Sequence, residues 1–138
     1  MKRIILVGYF LEIEELCEEE AYIIEGVIEP ERGNYRLKYL GDDSKASQLF
    51  GEYANMPVIV IPDQPRARER LCVLYSKVGY KYINLISHSA HISKSCMIDN
   101  GVIIQNSVNV SSKAIINSHV KLNVGCNIMH DTVVGEYA

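Results

Sequence analysis

The sequence predicts an α/β domain of Rossmann-like connectivity over residues 1–82, followed over 83–138 by a parallel β-solenoid. The solenoid rests on an aliphatic side chain that returns at every sixth position: Ile86, Ile92, Ile98, Ile104, Val110, Ile116, Leu122, Ile128 and Val134. Two residues before most of these stands a small one, as at Ala90, Cys96, Val108, Ala114 and Cys126. A period of six fits neither an amphipathic helix, at about 3.6, nor an alternating strand, at about 2. It fits short strands that turn a corner every hexapeptide and stack coil upon coil. Three hexads close one triangular coil, so nine make three coils, with columns at eighteen-residue spacing such as Ile86, Ile104 and Leu122. Asn100-Gly101, Asn106-Ser107, Ser111-Ser112 and Asn117-Ser118 fall where corners belong. Flat faces and open end coils favour pairing with further copies of the chain.

The α/β domain rests on strands that alternate with helices. Arg3 to Phe10 reads as a buried strand and Glu12 to Glu20 as a short helix with Ile13, Leu16 and Cys17 on one face. Tyr22 to Glu29 is a second strand, stopped by Pro30, and Arg36 to Leu40 a short third. Asp43 or Ser44 caps a helix through about Tyr53. Pro57 to Ile61 is a further apolar strand, and Gln64 to Val78 a long helix with Arg66, Arg68 and Arg70 outward. Tyr82 to Ile86 starts as strand and runs into the first hexad. Such alternation implies βαβ units and a mainly parallel sheet, whose ligands sit at the carboxyl ends of the strands.

Composition limits the possible functions. The 138 residues carry a net charge of −3, with 48% hydrophobic and 22% charged side chains, which suits a folded domain and gives no support to general nucleic-acid binding. Met1-Lys2-Arg3 before Ile4 to Phe10 is not a secretory signal, because the apolar run is short and acids follow it. No run approaches the ~18 apolar residues of a membrane span. Cys17, Cys72, Cys96 and Cys126 lack CxxC spacing and read as buried free thiols of a cytoplasmic protein.

Gly8 closes the first strand, and Glu29 closes the second some twenty residues later. That acid suits a ribose hydroxyl, although a solvated acid at a strand end is the plain alternative. Gly8 is followed by Tyr9, Phe10, Leu11 and Glu12, without the glycines that let backbone N–H groups approach a phosphate.

Two stretches carry a family resemblance. Asn123-Val124-Gly125-Cys126-Asn127-Ile128-Met129-His130-Asp131-Thr132-Val133-Val134-Gly135-Glu136-Tyr137 resembles the N-T-G-A-x-[VI]-x-H-[DE]-C-x-[IV]-G-[DE]-[FY] stretch of hexapeptide-repeat sugar acyltransferases. These are of the sialic acid O-acetyltransferase and bacillosamine-pathway N-acetyltransferase type. Asn84-Leu85-Ile86-Ser87-His88-Ser89-Ala90-His91-Ile92-Ser93 resembles their N-L-I-H-P-S-A-x-I-S, with Ser87 in the place of the family histidine. The resemblance implies a left-handed β-helix, a nucleotide-sugar-binding N-terminal domain, acetyl-CoA as co-substrate, no metal and a homotrimer. On that reading the acceptor is an amino or hydroxyl group of a nucleotide-linked sugar.

The family's general base falls on His130, otherwise a corner residue two after Ile128, and Asp131 is its orienting acid. The chemistry is apt: a nucleophile attacking a thioester must lose a proton, and an imidazole titrating near neutrality accepts it. Gly8, Glu29 and Asp63, in strand–helix turns of the first domain, are the candidate substrate-binding residues. His88, His91 and His119 read as structural, and no three histidines have the spacing of a solenoid zinc site.

The first loop lacks the family's glycines, and Pro62-Asp63-Gln64 stands where G-x-N is common. Family members continue for several coils past the position of Ala138, where most of the acetyl-CoA surface lies. The expectation is therefore an acetyltransferase, or the N-terminal portion of one, with the activity residing in a full-length form. The alternative is a non-catalytic binding or scaffold module that keeps the fold.

Overall fold

The computed structural model describes residues 2–138. The chain divides into two compact units, one ending at Ile83 and one running from Asn84 to Ala138.

In the first unit, β1 (Lys2–Val7), β2 (Tyr22–Ile28), β3 (Tyr39–Gly41) and β4 (Val58–Val60) form an all-parallel sheet in the order β3-β2-β1-β4. Unbroken apolar runs mark the inner strand β1 and the edge strand β4, where Ile4, Ile5, Leu6, Val58 and Ile59 are fully buried. Parallel strands covered on both faces need such runs in place of alternation. Helix α1 (Leu11–Glu19) follows β1 and buries Ile13, Leu16 and Cys17. Burial, reinforced by Glu14 and Glu18, pushes the Cys17 thiol up to about 12, and burial alone does the same to Cys72. Both are inert as nucleophiles at neutral pH. Cys96 and Cys126 are only half-buried, because each sits at a small-residue position near a corner of the second unit.

Helix α2 (Ala46–Glu52) is preceded by a 3₁₀ turn, Asp43–Lys45. The cap is Asp42, whose Oδ1 accepts from the Ser44 N–H at 2.9 Å, one residue earlier than the sequence suggested. Helix α3 (Pro65–Val78) begins on a proline and ends at Gly79, whose φ of +115° gives the left-handed C-terminal cap that glycine adopts at no steric cost. Tyr80 packs edge-on against Phe50 at 4.9 Å between centroids and donates to the Ala46 carbonyl, fastening α3 to α2.

Two expectations need correction here. Arg68 does not point outward: it is 2% exposed and donates from Nη1 to the carbonyls of Pro62 at 2.6 Å and Asp63 at 3.0 Å. A guanidinium can be buried where backbone oxygens satisfy its fixed donors. The strand expected over Tyr82 to Ile86 divides, because Tyr82 bridges to Val58 in the first unit while β5 (Leu85–Ile86) belongs to the second.

The second unit is built from two-residue strands: β5, β6 (His91–Ile92), β7 (Met97–Ile98), β8 (Ile103–Ile104), β9 (Asn109–Val110), β10 (Ile115–Ile116), β11 (Lys121–Leu122), β12 (Asn127–Ile128) and β13 (Val133–Val134). They form three parallel three-stranded sheets, β5-β8-β11, β6-β9-β12 and β7-β10-β13. Partners lie eighteen residues apart, so Ile86 pairs with Ile104 and Ile104 with Leu122, as the hexad columns require. Val102, Ile104, Val108, Val110, Ala114, Ile116, Val120 and Leu122 form the core.

From the second coil onward the corners share one backbone conformation. From Gly101 onward every sixth residue has positive φ: Gly101, Ser107, Lys113, His119, Gly125, Asp131 and Tyr137. Five of these are not glycine, and each such residue costs about 1–2 kcal/mol. The six from Ser107 onward donate their N–H to the coil before: to Ser89 Oγ, Ser95 Oγ and the carbonyls of Asn100, Asn106, Ser112 and Ser118. Asn84 ties the first coil to the next, donating to the Asp99 carbonyl at 2.8 Å and accepting from the Val102 N–H at 2.9 Å. His119, 7% exposed, stacks on Tyr137 at 5.5 Å with the planes 9° apart.

Gly101 lies beneath that ring, and a Cβ there would sit 2.2 Å from His119 Nδ1. Gly125 has nearly the same φ, but a Cβ there would meet nothing within 4 Å. Gly101→Ala is therefore expected to lose clearly more stability than Gly125→Ala, which carries only the backbone cost of about 1–2 kcal/mol. Denaturant unfolding of the two variants checks this, and equal losses would remove the steric role of Gly101.

Candidate functional site

In the first unit, a cavity of about 120 Å³ opens at the carboxyl ends of β1 and β2. Gly8, Glu29 and Pro62 line it from the strand ends, and Asp43, Ala67 and Arg70 from the helical side. Gly8 is required by close approach: with φ +92°, a Cβ would lie 3.1 Å from Ile61 Cγ1 and 3.2 Å from Pro62 Cδ. Its N–H donates to the Ile28 carbonyl at 2.8 Å and is spent within the fold. The first turn of α1 carries Glu12 and Glu14, which oppose an anion at that helix end. Tyr9, in the β1–α1 loop, donates to Glu14 at 2.5 Å. The β1–α1 loop is thus not built as a phosphate cradle.

Glu29 is not the solvated acid of the plain reading. Its Oε2 is buried with no hydrogen-bond partner, as is the Tyr35 hydroxyl. Burial first, then the neighbouring Glu29 carboxylate, pushes the Tyr35 phenol up to about 12, although the two groups do not meet in hydrogen-bond geometry. The Tyr35 ring packs against Tyr9 at 4.5 Å. Asp63 is exposed and does not line the cavity, and its backbone carbonyl is held by Arg68. Gly8 and Glu29 are therefore brought to one cavity, while Asp63 stands beside it in the Pro62-Asp63 turn.

Asp43 and Arg70 were not singled out from the sequence. Asp43 read as a helix cap, but Asp42 takes that role, and Asp43 Oδ1 instead accepts from the Tyr75 hydroxyl at 2.8 Å. Burial and this bond hold the Tyr75 phenol far above its ordinary range. Arg70 read as one of three outward arginines. The helical spacing of Ala67, Arg70 and Leu71 on one face was the only available signal for its place at the cavity.

In the second unit, His130 and Asp131 occupy the corner between β12 and β13. His130 Nδ1 lies 2.8 Å from Asp131 Oδ2, and both side chains are exposed, at 69% and 65%. Asp131 has φ +62°, and its N–H donates to the Ser112 carbonyl at 2.9 Å, so the corner is pinned to the coil before it. With Nδ1–H given to Asp131, Nε2 presents its lone pair outward, as a general base requires. Among the described residues, no group of three or more His, Cys, Asp or Glu is placed to hold a metal ion. No helix among them is long and apolar enough to cross a membrane.

No family profile matches the sequence. Solved structures match throughout. PerB from Caulobacter crescentus, in complex with CoA and GDP-perosamine, superposes on 100% of this chain with a TM-score of 0.91 and 18% identity, and the chain spans 68% of it. The acetyltransferase domain of PglB from Neisseria gonorrhoeae gives a TM-score of 0.85 at 16% identity, over 99% of this chain and 69% of that one. The same domain in complex with acetyl coenzyme A gives 0.82 at 17% identity, over 99% of this chain and 68% of that one. What is shared at this identity is the fold, and the three parallel sheets of the second unit fit a left-handed β-helix of the acetyltransferase type.

The buried guanidinium of Arg68 holds the turn beside the cavity. Arg68→Leu is expected to cost about 1.5–3 kcal/mol, the range for hydrogen bonds to a charged group. Chemical denaturation measures this, and a neutral effect would show that the Pro62 and Asp63 carbonyls need no internal donor.

Proposed function

We propose that this chain is an acetyltransferase, or the N-terminal portion of one, that moves an acetyl group from acetyl-CoA to an amino or hydroxyl group of a nucleotide-linked sugar. The observation that carries this reading is the end-to-end fold match to PerB, whose structure holds CoA and GDP-perosamine. The His130-Asp131 pair at an exposed corner supports it independently, because acyl transfer from a thioester needs a base open to the acceptor.

In the proposed reaction His130 is the general base and Asp131 its orienting partner. The acceptor nitrogen or oxygen attacks the thioester carbonyl and gives its proton to Nε2. Collapse of the tetrahedral intermediate breaks the C–S bond, and the proton leaves with the CoA sulfur. The first unit is the Rossmann-like, nucleotide-sugar-binding domain over residues 1–82, with Gly8 and Glu29 at the cavity and Asp63 in the adjoining turn. Residues 83–138 are three coils of a left-handed β-helix. The use of acetyl-CoA fits a cytoplasmic protein.

A homotrimer is supported by one outward ladder of the β-helix. Met97, Ile115 and Val133 stand in register on β7, β10 and β13, with Met97 67% and Val133 62% exposed. The corresponding ladder on β6, β9 and β12 is His91, Asn109 and Asn127. An apolar stripe on one face and a polar one on another is the pattern of a surface covered by a further copy.

In a full-length form that carries the acetyl-CoA-binding coils, His130→Ala is expected to lower kcat for acetyl transfer by about 10²–10⁴-fold, the usual contribution of a general base, while Asp131→Asn has a smaller effect. Release of the CoA thiol in the presence of an amino-sugar nucleotide reports the rate. Undiminished turnover in His130→Ala would sink the assignment of the base.

A further inference from the structure

We propose that the cavity of the first unit is selective for guanine, with Asp43 and Arg70 reading the base. The inference deepens the nucleotide-sugar reading and rests on it. Ile28, Pro30 and Leu71 give the cavity apolar walls, which suit a flat ring, so discrimination falls to the few polar groups that reach the same space. These are Glu29, Asp43 and Arg70.

Asp43 is set up as a recognition group. Its Oδ1 accepts from the hydroxyl of Tyr75 at 2.8 Å, and Tyr75 is fully buried, so the carboxylate is oriented from behind. The cap of the 3₁₀ turn is supplied by Asp42, which leaves the Asp43 side chain unspent there. An ionised carboxylate only accepts hydrogen bonds, so it matches a base edge with two adjacent donors. Guanine has that edge in N1–H and N2–H₂. Uracil N3–H is flanked by two carbonyl oxygens, which a carboxylate repels, and adenine sets an acceptor, N1, beside its N6 donor. Arg70 supplies the opposite chemistry, and arginine pairs with guanine O6 and N7. Glu29, which also lines the cavity, is left to the ribose hydroxyls.

Titration calorimetry of this chain with GDP, IDP, UDP and ADP tests the assignment. GDP is expected to bind at least about tenfold more tightly than UDP or ADP, and IDP, which lacks the N2 amino group, to lose about tenfold relative to GDP. Asp43→Asn is expected to bring GDP and UDP to similar affinity, with its melting curve confirming that it folds. UDP or ADP binding as tightly as GDP, or IDP binding as tightly as GDP, overturns the guanine assignment while leaving the nucleotide-sugar reading in place. Failure of all four nucleotides to bind overturns both. The IDP comparison uses the unaltered chain, so it decides the matter even if Asp43→Asn does not fold.

Discussion

The second unit depends on a hydrogen-bond register of eighteen residues. Strands only two residues long cannot hold a sheet by themselves, and an isolated pair of this length would not persist in water. What makes them stable is that every side of the coil repeats the same pairing, and the corners repeat it too. The left-handed residues from Ser107 to Tyr137 each send an N–H to the coil before. Backbone strain at a corner is thus offset by a bond that only the stacked arrangement allows. Burial of one aliphatic and one smaller residue per hexad supplies the rest.

The same register creates the His130-Asp131 corner. Asp131 takes the left-handed conformation that Lys113 takes eighteen residues earlier, and its N–H is bound to Ser112. That conformation turns the carboxylate toward its preceding neighbour, so adjacent residues meet at 2.8 Å. A repeating structural device has been given side chains with acid–base chemistry. His119 shows the other use of the same position: its ring covers Gly101 and stacks on Tyr137, and it serves packing.

The first unit works by a different rule. Its cavity lies where parallel strands end, and its polar groups are set by contacts remote in sequence. Tyr75 on α3 orients Asp43 from 32 residues away, and Arg68 holds the Pro62-Asp63 turn. The glycine at the end of β1 is kept for contact with Ile61 and Pro62, with its N–H already bonded to Ile28. In the proposed function this loop packs the strand end and leaves ligand contact to side chains from β2, the 3₁₀ turn and α3.

The sequence by itself determined the β-helix, because a period of six with aliphatic and small residues at set offsets has one simple structural solution. Pairings such as Ile92 with Val110 and Ile98 with Ile116 follow from counting. The order of strands and helices in the first unit was equally legible, since unbroken apolar runs and capping signals are local. Only the tertiary structure decided which polar residues are buried. Arg66, Arg68 and Arg70 are alike to a reader of the sequence, yet Arg68 is buried beneath two carbonyls while Arg70 reaches a cavity. Asp42 and Asp43 are adjacent and chemically identical, yet one caps a turn and the other meets Tyr75. The reason is physical: hydrophobic period is written in neighbouring residues, whereas the partner of a polar group is set by whichever distant segment the fold brings against it.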